Sequence, residues 1–280
     1  MTTIVVPLDG SAFSERALRP ACSIAARLPD SRVLLVSCTP DDVDLAQHHL
    51  DDRARQYSDV VEVETRLVHN GDPALAILAT VASEPDAMLC MATHGRGGIK
   101  ATVLGSVAKQ VVCRSTRPLV LVGPHCRTAL LPAERGRLLV SSDGSALSDS
   151  IIPIAAEWGE RLGLEPWLAE VVPPDEYPEA AHRPPRNRQV EAATARLAKL
   201  SARLGTAGVP ARSEVLHGTP CHAIAGFAER LPAAMIAIAT HGRSGLTRIT
   251  MGSVATDVVR HAPCPVLITR PTDNQACIDE

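Results

Sequence analysis

Aromatic side chains are nearly missing from this chain: Phe13, Tyr57, Trp158, Trp167, Tyr177 and Phe227 make up 2% of its 280 residues. A bound base would therefore sit in an aliphatic slot rather than on stacked rings, which argues against single-strand nucleic-acid binding and against a flavin held between rings. A dominant charge is missing too. The net charge is −3, and the arginines come in short groups interrupted by acids, so there is no electrostatic footprint for DNA or RNA. No apolar run approaches the roughly 20 residues of a membrane span. The N-terminus, MTTIVVPLDGS, has neither a charged n-region nor a long apolar h-region, and it suits the start of a strand better than a signal peptide. Eight cysteines, at 22, 38, 90, 113, 126, 221, 264 and 277, form no CxxC pair and no ligand-spaced cluster with histidine. Several lie in apolar runs, such as Cys90 in AMLCMA, where a thiol serves as a small hydrophobe. These absences lead us to expect a cytoplasmic protein with reduced thiols, no bound metal, no nucleic acid and no membrane.

What is present is an internal repeat. Residues 92–122 and 239–269 align without a gap at an offset of 147, with 13 of 31 positions identical, and the identities fall on THGR, GSVA, VV and a late Pro. VPLDGSAFSERAL at 6–18 matches VSSDGSALSDSII at 140–152 at an offset of 134, so the second copy carries a 13-residue insertion. The stretch 173–203, beginning PPDEYPEAAHRPPRN, suits that insertion as a loop leading into the helix VEAATARLAKLSARL. Linker composition falls at 123–136, which divides the chain into domains 1–125 and 136–280. Apolar residues reach 45%, enough for a core in each half.

Each half alternates strand and helix. In the first copy the strands are expected near 3–8, 32–38, 61–68, 86–92 and 118–122, short and almost continuously apolar. That is the pattern of parallel strands buried on both faces, with helices such as ALRPACSIAARL at 17–28 packed on them by an apolar stripe. The expected fold is α/β: two tandem, doubly wound, parallel five-stranded sheets of Rossmann-like or flavodoxin-like order, related by a pseudo-twofold. Ligands of such sheets bind beyond the carboxyl ends of the strands, where strand order reverses.

Three turns sit at those ends. After strand four come Ala92, Thr93, His94 and Gly95, nine further residues, and Gly105-Ser106 opening a helix; Ala239 through Gly242 and Gly252-Ser253 repeat it. Glycine lets a backbone approach an anion, and the helix start offers N–H groups and a positive dipole end. Ser106 and Ser253 can cap the helix or donate to a phosphate, and Arg96 and Arg243 add charge. No GK[ST] follows, so this is not a P-loop, and a turn after strand four is not the dinucleotide fingerprint. Asp9-Gly10-Ser11 and Asp143-Gly144-Ser145 end strand one; each Asp can cap a helix, contact a ribose or hold a metal that bridges phosphates. Gly71-Asp72-Pro73 and Gly218-Thr219-Pro220 are helix-start punctuation that can wall a base pocket. His94 and His241 lack a nucleophile and an orienting acid nearby in sequence, so each is expected to orient the loop through a backbone hydrogen bond.

This set of turns, with the closing strands RPLVLV and CPVLIT, resembles the nucleotide-binding branch of the universal stress protein family over both halves. The resemblance implies a Gly-x-x-Gly, nine-residue, Gly-Ser pattern holding the phosphates and ribose of ATP, with Mg²⁺. It also implies an Asp after strand one and an adenine-lining residue at the end of strand two, here Cys38 and Val171. The implied site is Asp9, Gly10, Cys38, Ala92, His94, Gly95, Arg96, Gly98, Gly105, Ser106 and Val107 in the first half. In the second it is Asp143, Gly144, Val171, Ala239, His241, Gly242, Arg243, Gly245, Gly252, Ser253 and Val254. One position departs: the pattern's first glycine is Ala92 and Ala239. A methyl there is harmless at negative φ but otherwise crowds the ribose, and overlap of one methyl costs ~1–3 kcal/mol.

The leading expectation is an ATP-binding regulator of the stress response, one site per half, with little or no turnover and an unidentified regulatory partner. It would be a homodimer or a pseudo-dimeric monomer. The alternative is a nucleotide-free interaction module that pairs through the last strand of each half. An adenylate-transferring ligase ranks below both, because the DGS turn supplies neither spaced histidines nor a glycine-rich pyrophosphate loop.

Overall fold

The computed structural model describes residues 1–39, 43–69, 71–95, 104–127, 131, 136–174, 185–240 and 251–269. The first half runs β1 (Thr2–Pro7), a 3₁₀ turn (Ser14–Ala17), α1 (Leu18–Ala25), β2 (Ser31–Thr39), α2 (Val43–Tyr57), β3 (Glu62–His69), α3 (Pro73–Ser83), β4 (Ala87–Ala92), α4 (Ser106–Arg114) and β5 (Leu119–Val122). The second runs β6 (Gly136–Ser141), α5 (Ala146–Asp149), α6 (Ile151–Leu162), β7 (Leu164–Val172), α7 (Arg186–Thr206), β8 (Arg212–His217), α8 (Pro220–Arg230), β9 (Met235–Ala239), α9 (Ser253–His261) and β10 (Val266–Thr269). The first five strands lie within one residue of the expected bounds. The helix expected over 17–28 is shorter: a 3₁₀ turn precedes it and α1 stops at Ala25, ahead of the Leu28-Pro29 step that disfavours helix.

Each half is parallel, with strand order β3-β2-β1-β4-β5 in the first and β8-β7-β6-β9-β10 in the second. The halves are not separate sheets. β5 and β10 pair antiparallel and join them into one ten-stranded sheet. The register is self-centred. Leu267 faces Val120, its own repeat partner at the 147-residue offset, while Val266 faces Leu121 and Ile268 faces Leu119. An isologous pairing of this kind is what a twofold relation between two copies demands. The pairing of closing strands expected of an interaction module is thus made inside the chain.

Both faces of the sheet are buried. Ile4, Val6, Val33 and Leu35 join Leu138 and Val140 in the layer under α1 and α6, and Val5, Leu34, Val36 and Leu89 join Leu139 and Ile236 in the layer under α3, α4 and α8. This two-sided burial is why the central strands are apolar without alternation. The outer strands β3 and β8 are partly exposed and alternate charge with apolar residues (EVETRLVH, RSEVLH), as edges protected from pairing do. The insertion's residues 175–184 and the linker's 128–130 and 132–135 lie outside the described residues.

Candidate functional site

Strand order reverses between β1 and β4, and β2 and β5 flank them. A cleft of about 380 Å³ opens there in the first half. Eight of the expected residues line it: Asp9, Cys38, Ala92, His94, Gly95, Gly105, Ser106 and Val107. Gly10 sits just behind, in the left-handed region at φ 79°, and Gly144 does the same at φ 80°. The remaining walls are aliphatic, chiefly Val36, Ile77 and Met91, matching the shortage of rings.

The turn after β1 is built by its own side chains. Asp9 Oδ1 accepts from the Ser11 N–H (3.0 Å) and the Ser11 hydroxyl (2.6 Å), and the Ser14 N–H donates to Ser11 Oγ (3.2 Å). The second half repeats this: Asp143 Oδ1 accepts from the Ser145 N–H (3.0 Å) and hydroxyl (2.7 Å). One oxygen of the carboxylate therefore shapes the turn. The other, Asp9 Oδ2, reaches the glycine loop, where a β-carbon on Gly95 would stand 2.0 Å from it. The absence of a side chain at Gly95 is what lets the two turns meet.

The loop itself is pinched at its base. Thr93 N–H donates to Val122 O (3.1 Å) and Gly105 N–H donates to Thr93 O (2.8 Å); Thr240 N–H to Thr269 O (2.9 Å) and Gly252 N–H to Thr240 O (2.8 Å) repeat the arrangement. Gly105 and Gly252 are the N-cap residues, and no side chain caps either helix. The capping role allowed for Ser106 and Ser253 is therefore not used, because each serine is the first residue inside its helix. The uncapped start of α4 lines the cleft, with partial positive charge directed into it.

His94 is buried, its Nδ1 2.9 Å from the Thr93 hydroxyl and its ring centroid 6.1 Å from that of Phe13. The Thr93 hydroxyl is thus one group that holds the imidazole. Cys38 stands at the mouth with Sγ 3.9 Å from Gly71 O; burial, and then the Asp72 carboxylate, push its thiol up from the ordinary range.

Ala92 and Ala239 both close buried strands, and neither has positive φ. The Ala239 methyl sits in the apolar layer under α6. The departure from glycine is thus accommodated without backbone strain.

In the second half Asp143, Gly144, Val171, Ala239, Gly252, Ser253 and Val254 hold positions equivalent to those of the first. His241, Gly242, Arg243 and Gly245, like Arg96 and Gly98, lie outside the described residues. One feature there was missed in sequence. Arg196 of α7 pairs with the buried Glu170 of β7, and its guanidinium lies on Gly144, where a β-carbon would come within 1.9 Å of Nη1. The available signal was a lone Glu inside the apolar strand WLAEVV.

The profile of the universal stress protein family matches residues 1–123 and again 134–270. The chain belongs to this family. Among curated relatives, a universal stress protein of Methanocaldococcus jannaschii is 44% identical over 63 residues, covering 22% of this chain and 37% of its own length. A universal stress protein of Mycobacterium tuberculosis is 28% identical over 190 residues, covering 65% of this chain and 61% of its own. The chain thus spans less than two thirds of the length of these curated relatives. Among solved structures, a universal stress protein of Archaeoglobus fulgidus superposes with a TM-score of 0.70 at 22% identity, covering 97% of both chains. At that identity the likeness concerns the fold. Among the described residues of this universal stress protein, no helix is long and apolar enough to cross a membrane.

Proposed function

We propose that each half binds an adenine nucleotide, ATP with Mg²⁺, and that the protein acts as a cytoplasmic regulator of the stress response with little or no turnover. The observation that carries this reading is the convergence of the β1 turn, the glycine loop and the uncapped start of α4 on one cleft at the point of strand-order reversal. Its 380 Å³ falls within the range of small-molecule sites. The residues fit the ligand by chemistry. The Ser106 and Val107 N–H groups and the Ser106 hydroxyl would hold phosphate oxygens. Asp9 Oδ2 would serve the ribose or the metal, and Val36, Ile77 and Cys38 would form an aliphatic slot for the base. The reading of ligand rather than substrate is supported by His94, which is buried with its Nδ1 beside the Thr93 hydroxyl.

The test is the nucleotide content of freshly purified protein, compared between wild type and the Gly95→Ala, Gly242→Ala double variant. Wild type is expected to carry adenine nucleotide, or to gain about 2.7 kcal/mol of stability at 100 times Kd, and the variant to lose both. Equal content in the two proteins overturns the site.

A further inference from the structure

A second cavity, of about 290 Å³, lies in the first half between the 3₁₀ turn with α1, the end of α2 and the segment leaving β5, and it shares no lining residue with the nucleotide cleft. Its floor is apolar: Ala12, Pro20, Val122 and the Cys126 side chain. Its polar groups are Glu15, Arg16, Arg19 and the Tyr57 side chain. The Glu15 charge is already matched, since His49 Nε2 stands 3.4 Å and Arg53 Nε 3.3 Å from its Oε1. Arg16 is fixed in place: it donates to Pro124 O (2.9 Å) and Cys126 O (2.8 Å) and lies 5.6 Å over the Phe13 ring. Those partners are neutral and leave its charge uncompensated. Arg19 has no hydrogen bond or ion pair among the described residues, and neither has the Tyr57 hydroxyl.

The cavity therefore holds more positive charge than its one carboxylate offsets, one free guanidinium fork, one free hydroxyl and an apolar floor. We propose that it is a second ligand site, for a small organic anion with a carboxylate or phosphate-monoester head and an apolar body. The guanidinium fork of Arg19 would take the head group in a bidentate pair, with Tyr57 donating to it. The apolar body would cover Pro20 and Val122. The size suits a ligand smaller than a nucleotide, since 290 Å³ is at the lower edge of small-molecule sites. The second half does not repeat this chemistry: at the 134-residue offset, Glu15, Arg16 and Arg19 become Asp149, Ser150 and Pro153. One anion per chain is expected, against two nucleotides.

The test is calorimetric titration of the full chain with benzoate, phenyl phosphate and inorganic phosphate, with backbone NMR shifts to locate binding. The aromatic anions are expected to saturate one site per chain, with shifts over residues 12–20. Inorganic phosphate, which leaves the apolar floor uncovered, is expected to bind at least roughly tenfold more weakly. Arg19→Ala is expected to weaken the aromatic anions roughly tenfold and Arg19→Lys less, while ATP binding stays at the wild-type level in both. Three results overturn the proposal: no saturable binding of either aromatic anion at millimolar concentration, wild-type affinity in Arg19→Ala, or displacement of the anion by ATP. ATP binding measured on the same samples judges the nucleotide reading separately, so either can fail without the other.

Discussion

The two halves carry the same fold on different chemistry where β4 and β9 begin. In the first half Glu84 is buried at the end of α3, between Arg32 (2.7 Å) and Arg66 (2.8 Å), and Arg32 also reaches Glu64. In the second half the residue at the 147-residue offset is Leu231, which is also buried and offers only its carbonyl, to Arg137 Nη1 (2.7 Å). A leucine and a buried glutamate held by two partly exposed arginines therefore serve the same position. The comparison shows that the fold asks for burial there; where the buried residue is a carboxylate, its arginine partners must stay, because an unpaired buried charge is costly. Glu84→Gln is expected to cost about 3 kcal/mol, with the Arg66 share reduced because that side chain is 38% exposed. Glu84→Leu, which imports the residue of the other half without its surroundings, is expected to cost no less. Denaturant melts of both variants check this.

The pH dependence has a defined sign. The Arg66 hydrogen bond first, and the Arg32 pair with it, hold the Glu84 carboxyl below the usual range against the opposing effect of burial. A carboxyl whose folded pKa is depressed contributes stability above its unfolded value and loses it as pH falls through the folded one. Between about pH 5 and pH 2 the wild type should therefore lose more stability than Glu84→Gln. Parallel acid dependences would mean that the network does not bind its carboxylate as described.

The seam gives the next contrast. The strand pairing of β5 with β10 is symmetric, and the segment leaving β5 is bound to the other half in detail. His125 Nδ1 stands 2.8 Å from Arg260 O, and the Arg127 N–H donates to Pro263 O (2.7 Å). Gly123 makes the close approach possible, since a β-carbon there would stand 2.0 Å from Val259 O. Backbone cannot yield as a side-chain tip can, so Gly123→Ala is expected to cost about 1–3 kcal/mol, as overpacking does. Thermal unfolding would show it, and loss of cooperativity between the halves would sharpen the conclusion that the seam couples them.

Much of this was open to reading in the sequence, for identifiable reasons. The strands were legible because both faces of the sheet are buried, which leaves continuous apolar runs, and the repeat supplied a second instance of every turn. Asp9 and Gly95 lie far apart in sequence, yet their junction was legible because each sits at a strand end on the same side of a doubly wound sheet. Other features depend on which side chains meet across the sheet, and periodicity carries no such information. Arg32, Glu64, Arg66 and Glu84 come from three separate stretches. Arg196 reaches Gly144 from another helix, and Arg16 finds carbonyls 108 and 110 residues away. The serines at the start of α4 and α9 were read one position off because glycine, which also serves as an N-cap, precedes them.

The smallest contrast concerns the starts of α3 and α8, where the two halves read Asp72-Pro73 and Thr219-Pro220. Asp72 is a working cap: Oδ1 accepts from the Ala74 N–H (2.8 Å) and the Leu75 N–H (3.1 Å). Thr219 occupies the same place with similar backbone angles but makes no side-chain cap bond. Asp72→Ala should therefore cost about 1 kcal/mol, and Thr219→Ala should change stability by no more than a few tenths. The same aspartate has a second effect that the threonine cannot have. After burial, its charge is the other cause that raises the Cys38 thiol at the mouth of the cleft. Removing it should let Cys38 ionise at lower pH, which alkylation rates measured against pH on the Cys38-containing peptide would register. An unchanged alkylation profile in Asp72→Ala, alongside the expected loss of stability, would mean that the cap and the thiol are independent and that burial alone sets the chemistry of Cys38.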